Sequence, residues 1–143
     1  MGIDVLCQAK AGMGKTAVFV LTILNRMEQI AEKDKISCLV LANTRELAFQ
    51  ISKEFDRFSQ NLGYKTQTII GGENINEQIE KLKADKPHIV VGTPGRVLGL
   101  IKKTILDTSG VKIFVIDECD KMLQQLGEIF LFKINKITFL IIQ

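Results

Sequence analysis

The 143-residue sequence has no tryptophan, one tyrosine, one histidine and two prolines. With no tryptophan, Tyr64 as the single tyrosine, and most phenylalanines on helix or strand core spacings, it offers no platform on which successive nucleic-acid bases could stack. Eleven glycines and two prolines among abundant Ile, Leu and Val exclude a collagen-like or disordered chain, and the absence of sustained heptads excludes a coiled coil. The three cysteines, Cys7, Cys38 and Cys119, are widely separated, with no Cys-x-x-Cys pair and no histidine pair to complete a zinc site. That usage fits a reducing compartment. No apolar run reaches the roughly 20 residues of a membrane helix. The N-terminus lacks the basic, apolar and small-residue order of a secretory signal. Leu6 stands where a myristoylation signal needs Ser or Thr. The expectation is a soluble protein that is neither secreted nor membrane-bound. Nineteen Lys plus Arg against sixteen Asp plus Glu leave a net charge of +3, which permits a polyanionic partner without requiring one.

What the chain does have is alternation. Apolar, β-branched runs at Val5–Cys7, Ser37–Leu41, Thr66–Ile70, His88–Val91 and Ile113–Ile116 read as buried strands. Between them, Val20, Ile23, Leu24, Met27 and Ile30 follow helical spacing, as do Leu47, Ile51, Phe55, Phe58 and Leu62, and then Ile75, Ile79 and Leu82. Strand-helix-strand order with short connections predicts an α/β fold, a mainly parallel sheet flanked by helices. Asn43 or Thr44 can cap one helix, and Thr93 offers a capping hydroxyl before Pro94 at the first position of another. Both starts follow strand ends, where open α/β sheets bind their ligands.

The loop Ala9, Lys10, Ala11, Gly12, Met13, Gly14, Lys15, Thr16 lies between the first strand and the first helix. Its glycines let backbone N–H groups and the helix N-terminus point at phosphate oxygens. In such a loop the lysine, Lys15, reaches the β- and γ-phosphates and the hydroxyl of Thr16 ligates Mg²⁺. The strict motif has glycine where this chain has Ala9. A second element of the same chemistry is the apolar strand ending in Asp117 and Glu118. Such a strand delivers Asp117 to the sheet edge, where it holds Mg²⁺ partly through water, while Glu118 orients or deprotonates the attacking water.

Asp117-Glu118-Cys119-Asp120, taken with the Ala-x-x-x-x-Gly-Lys-Thr loop, resembles the DEAD-box RNA helicases, and among them the Asp-Glu-Cys-Asp branch that acts in mRNA splicing and nuclear export. Thr44-Arg45-Glu46-Leu47-Ala48, Gly71-Gly72 and Thr93-Pro94-Gly95-Arg96 match further motifs of that family in order. The resemblance runs over about residues 2–126 and accounts for Ala9, since the family loop begins with alanine. It implies a RecA-like P-loop NTPase domain and an ATP hydrolase that uses ATP and Mg²⁺, with Lys15, Asp117 and Glu118 as catalytic residues and Asp120 bridging motifs. It also implies that Thr44 and Arg45 contact RNA phosphates, that Gly71 and Gly72 let backbone approach the strand, and that Thr93, Gly95 and Arg96 grip the sugar-phosphate chain. The partner is then single-stranded RNA read through its backbone, independent of sequence and sensitive to salt. Splicing and export adaptors, and a nuclear location with the cytoplasm as a second compartment, follow from the resemblance alone.

Set against the family pattern, residues 1–126 read as a partial first RecA-like domain and residues 127–143 as a divergent apolar tail. The upstream adenine-recognition segment and the second RecA-like domain, with its arginine fingers, have no counterpart. The fold is expected to be truncated at both ends, with Thr138–Ile142 able to supply a strand. The alternative function is a non-catalytic nucleotide- or RNA-binding fragment, the product of a truncated or mis-assembled gene. A P-loop kinase or GTPase is disfavoured, because neither has a use for the Thr-Arg-Glu-Leu-Ala and Thr-Pro-Gly-Arg segments.

Overall fold

Short apolar runs between turns pair here as parallel strands, because each is followed by a helix that carries the chain back across the sheet. The computed structural model describes residues 5–7, 14–117 and 138–142. The strands are β1 (Val5–Cys7), β2 (Cys38–Leu41), β3 (Thr66–Ile69), β4 (Ile89–Gly92), β5 (Ile113–Asp117) and β6 (Thr138–Ile142). The helices are α1 (Lys15–Ile30), α2 (Arg45–Ser59), α3 (Ile75–Asp85) and α4 (Pro94–Lys102). The six strands form one sheet in the order β1-β6-β5-β2-β4-β3. Every pairing is parallel. The segment Thr138–Ile142 is indeed a strand, and it lies between β1 and β5. Among the described residues no helix is long and apolar enough to cross a membrane.

The twofold period of a strand splits the core into two layers. Cys38 and Val40 of β2, Ile89 and Val91 of β4, and Ile113 and Val115 of β5 pack with Phe19, Val20, Ile23, Leu24 and Met27 of α1 and with Ala48, Ile51 and Phe55 of α2. Leu39, Leu41, Val90, Phe114 and Ile116 turn the other way, onto Leu82 of α3 and Val97, Leu100 and Ile101 of α4. The Cys38 thiol is fully enclosed, and burial pushes its pKa far up, so it stays protonated and acts as a small hydrophobe.

One helical expectation fails. Leu62 does not continue the α2 face, because α2 ends at Ser59 and Leu62 is 52% exposed. Gly63 at φ +72° turns the chain towards β3 just beyond it, a conformation open to glycine at little cost.

The C-terminal end of α1 is tied to the start of β5. Lys112 Nζ donates to the Ile30 carbonyl at 3.0 Å and to Glu32 Oε1 at 2.6 Å, placing a cation on the carbonyl end of the helix. Hydrogen bonding from Lys112, and then from Lys35, holds the Glu32 carboxyl down to about 2.

His88, the only histidine, joins β3 to β4. Its Nδ1 accepts the Lys65 N–H at 3.2 Å, and its ring meets Tyr64 edge-on with centroids 5.7 Å apart. Burial, followed by the nearby Lys65 charge, holds its pKa below the usual value of 6.5. As pH falls the unfolded chain therefore binds the proton before the native one, so stability is full above 6.5 and declines as pH drops towards the lowered native value. Urea unfolding between about pH 7.5 and 5.5, where histidine is the ordinary titrating side chain, should show this decline in the parent and a nearly flat profile in His88→Asn.

Candidate functional site

Parallel register brings the strand ends to one edge. Leu41 of β2 pairs with Ile116 of β5 on one side and with Gly92 of β4 on the other, and Gly92 pairs in turn with Ile69 of β3. On the far side Asp117 pairs with Ile142, which also pairs with Cys7. The segments that follow β1, β2, β3 and β4 therefore leave from the same carboxyl edge, which carries Asp117 itself.

Three of those loops converge. Asn43, Thr44, Arg45, Glu46, Gly71, Thr93, Pro94, Gly95 and Arg96 line one open groove of about 700 Å³. All the RNA-contact residues expected from the sequence line it except Gly72, which adjoins it. No aromatic side chain is among the lining residues.

Local chemistry explains each position. Thr44 caps α2, its Oγ1 accepting the Leu47 N–H at 3.1 Å, and so fixes Arg45 as the first helical residue. Gly72 has φ +82°, and a Cβ built there would lie 2.5 Å from Arg45 Cζ. The missing side chain at Gly72 is thus the space in which the Arg45 guanidinium rests. Gly92 is needed for a different reason, since a Cβ there would stand 2.5 Å from the Ile69 carbonyl oxygen. Its absence lets β4 and β3 close up immediately before Thr93.

Thr93 departs from expectation. Its hydroxyl makes no capping bond to α4 and instead accepts the Gly71 N–H at 3.3 Å. The hydroxyl that could accept an N–H of the second or third helical residue is taken by the neighbouring loop. It therefore staples the β3 and β4 loops together, and the first turn of α4 keeps backbone donors without a side-chain cap.

Arg96 is held from below. Its Nη1 donates to Gln78 Oε1 at 2.9 Å and its Nη2 to the Glu73 carbonyl at 3.1 Å. Gln78 had no role in the sequence reading, yet a signal was there: it sits within the spacing Ile75, Ile79, Leu82, on the inward face of α3. A polar residue on a core face needs partners.

Along the same edge, α1 opens with Gly14 as its N-cap at φ +71°, with no side-chain capping bond and no acid in the first turn. A helix N-terminus of this kind favours an anion. Lys15 and Thr16 are the first two residues of this helix and are half-buried. Asp117 is buried and ends β5 at the register level of Cys7, two strands away, a span of roughly 10 Å at ordinary strand spacing. A threonine hydroxyl and a carboxylate are hard oxygen donors of the kind Mg²⁺ takes alongside substrate phosphates. Among the described residues there is no cluster of three or more His, Cys, Asp or Glu side chains placed to hold a metal ion. Ala9, Lys10, Ala11, Gly12, Met13, Glu118, Cys119 and Asp120 lie outside the described residues.

Comparison with known proteins follows the same lines. The chain matches the family model of the DEAD/DEAH box helicases over residues 1–139. It is 53% identical over 127 residues to the ATP-dependent RNA helicase DDX39A of Homo sapiens, a match covering 88% of this chain and 29% of that protein. The crystal structure of a DEAD box protein from the hyperthermophile Methanococcus jannaschii superposes with a TM-score of 0.88 at 34% identity, covering 98% of this chain and 39% of the other. A Dbp5 variant from S. cerevisiae, solved bound to RNA and ADP BeF3, gives a TM-score of 0.83 at 28% identity over 98% of this chain and 36% of its own. The chain thus spans less than a third of the length of the curated relative.

The Gly72 geometry is directly testable. Gly72→Ala forces an alanine into the left-handed region and pushes the Arg45 guanidinium aside, so a loss of about 1–2 kcal/mol on unfolding is expected. Gly95, with open space around it inside α4, serves as the contrast: Gly95→Ala should leave stability unchanged or slightly higher.

Proposed function

The chain belongs to the DEAD/DEAH box helicase family, and on that premise we propose that it carries part of the first RecA-like domain, residues 1–126, of an ATP-dependent RNA helicase that binds Mg-ATP and the backbone of single-stranded RNA. The observation that carries this reading is the groove at the carboxyl edge. Residues from three loops meet there, two of them arginines, without an aromatic side chain, beside a sheet edge that also presents α1 and Asp117. A site that offers arginine forks, threonine hydroxyls and helix N-termini suits phosphates and carries no base code.

In this reading residues 9–16 wrap the nucleotide phosphates. The α1 N-terminus supplies backbone donors, and Lys15 adds a point charge at the β- and γ-phosphates. Thr16 and Asp117 would hold Mg²⁺, which when bound neutralises charge on the phosphates. Glu118 follows Asp117 directly and would take the proton of the attacking water. On the RNA side Thr44 and Arg45 at the start of α2, the Gly71-Gly72 turn, and Thr93, Gly95 and Arg96 at the start of α4 hold successive parts of one strand. The resemblance of Asp117-Glu118-Cys119-Asp120 to the Asp-Glu-Cys-Asp branch of the family supports a role in mRNA splicing and export with adaptor proteins, in the nucleus and cytoplasm.

Two measurements check the halves separately. Thermal unfolding with Mg-ADP at 100 times its dissociation constant should show about 2.7 kcal/mol of added stability, a rise of several degrees, in the parent and none in Lys15→Ala. An unchanged melting temperature in the parent would contradict the nucleotide assignment. Binding to a fluorescent single-stranded RNA should weaken steeply with salt, be equal for oligo(U) and oligo(A), and fall in Arg45→Ala and in Gly95→Ala while the nucleotide-induced shift stays. RNA affinity unaffected by both substitutions would remove the groove from the reading.

A further inference from the structure

We infer that Gln78 is a positioning residue for the RNA groove: its buried amide sets the Arg96 guanidinium and locks the loop after β3 to the first turn of α4. The inference rests on the proposed RNA reading, and it assigns a role to a residue that lies on none of the groove-lining segments.

Gln78 is 4% exposed and sits on the core face of α3. Both ends of its amide are in use. Nε2 donates to the Ile70 carbonyl at 3.0 Å and to Glu73 Oε2 at 2.8 Å, while Oε1 accepts from Arg96 Nη1 at 2.9 Å. The orientation of the amide is forced by its neighbours, since a guanidinium only donates and a carbonyl only accepts. No other side chain of similar size meets this demand. A glutamate would accept from Arg96 but leave the Ile70 carbonyl without its donor and face Glu73 with a like charge; a leucine or methionine would fill the space and satisfy nothing. The Gln78 backbone is held as well, its carbonyl accepting Gln67 Nε2 at 2.9 Å from within β3.

The arrangement resolves how one arginine can be both half-buried and useful. Arg96 gives one donor from each terminal nitrogen to the protein, through Gln78 and the Glu73 carbonyl. The guanidinium so held belongs to a residue that lines the groove, and its fork has further N–H donors besides these two. A free arginine loses rotamer freedom when it grips a phosphate, whereas one already clamped loses less. Thr93 reaches Gly71 from the same helix start, so three side-chain links connect the β3 and β4 loops: the Thr93 hydroxyl, the direct bond from Arg96 to the Glu73 carbonyl, and the buried Gln78 amide.

The test uses the full chain and the volume-conserving substitution Gln78→Met, with Arg96→Ala and the double substitution completing a cycle. Each protein is first checked for a cooperative melt and an unchanged Mg-ADP shift. If Gln78 acts through Arg96, Gln78→Met weakens RNA binding about 5- to 10-fold in the parent background, in line with the cost of ordering one long side chain, and less than about twofold once Arg96 is alanine. Equal losses in both backgrounds would overturn the inference, because a general structural role adds to the Arg96 effect. A measurement on the parent alone guards against a variant that does not fold. Side-chain ¹⁵N relaxation should show the Arg96 Nε–H as ordered as backbone; an Arg96 Nε–H much more mobile than the backbone would also overturn it. Failure of the underlying reading looks different: a parent that binds no RNA at any salt concentration removes the groove function and this role together, whereas RNA binding with an additive cycle removes only the role of Gln78.

Discussion

Parallel hydrogen bonding between short strands is the constraint from which the site follows. In a parallel ladder all strands point the same way, so the segments that follow them emerge at a common edge. Here the pairing of Leu41 with both Ile116 and Gly92, and of Gly92 with Ile69, sets those exits at one level. The register is in turn fixed by burial on both faces. Cys38 and Val40 belong to one core layer and Leu39 and Leu41 to the other, and a slip by one residue would exchange them. The hydrophobic core thus decides, at a distance, which loops can share a ligand.

Within that edge the two groove arginines are supported differently. Arg45 is exposed and rests in a space left by a glycine in a left-handed turn, an arrangement that leaves the guanidinium free to adapt. Arg96 is half-buried and bonded to a side chain and a carbonyl, which leaves it little freedom. An adaptable cation beside a fixed one suits a polymer whose phosphates are regular in spacing but variable in conformation. The fixed one depends on polar groups inside an otherwise apolar α3–sheet contact, where satisfied partners strengthen one another and an unmet one is costly. Gln67 shows the limit, its Oε1 being buried without a partner among the described residues.

Much of this was legible in the sequence because it depends on local chemistry. Apolar β-branched runs marked the strands, and the glycines, threonines and charged residues just beyond them marked the loops. What escaped depends on contacts between segments distant in the chain. Nothing near Thr93 says that its hydroxyl will prefer the Gly71 N–H to its own helix, since that choice is made by strand pairing. The apolar spacing of α2 ran on to Leu62 although the helix had already ended at Ser59, ahead of the turn at Gly63. Gln78 was visible as a polar residue on an apolar face, and its partners, from Gln67 to Arg96, became identifiable only when the loops came together.

The strand order also bears on how the protein is made. β1 has β6 as its sheet neighbour, and β6 comprises residues 138–142, at the opposite end of the sequence. On a ribosome the four strands from β2 to β5 can find one another while synthesis continues, but Val5–Cys7 must wait until β6 has emerged. Closing so long a loop costs conformational entropy before any pairing offsets it. Until then β1 and the free side of β5 present unpaired strand edges, the surfaces that draw chains into aggregates and that chaperones cover. The sequence after β1 leads to Gly14 and Lys15, so the part of the carboxyl edge that α1 opens on is completed only once β6 has taken its place between β1 and β5.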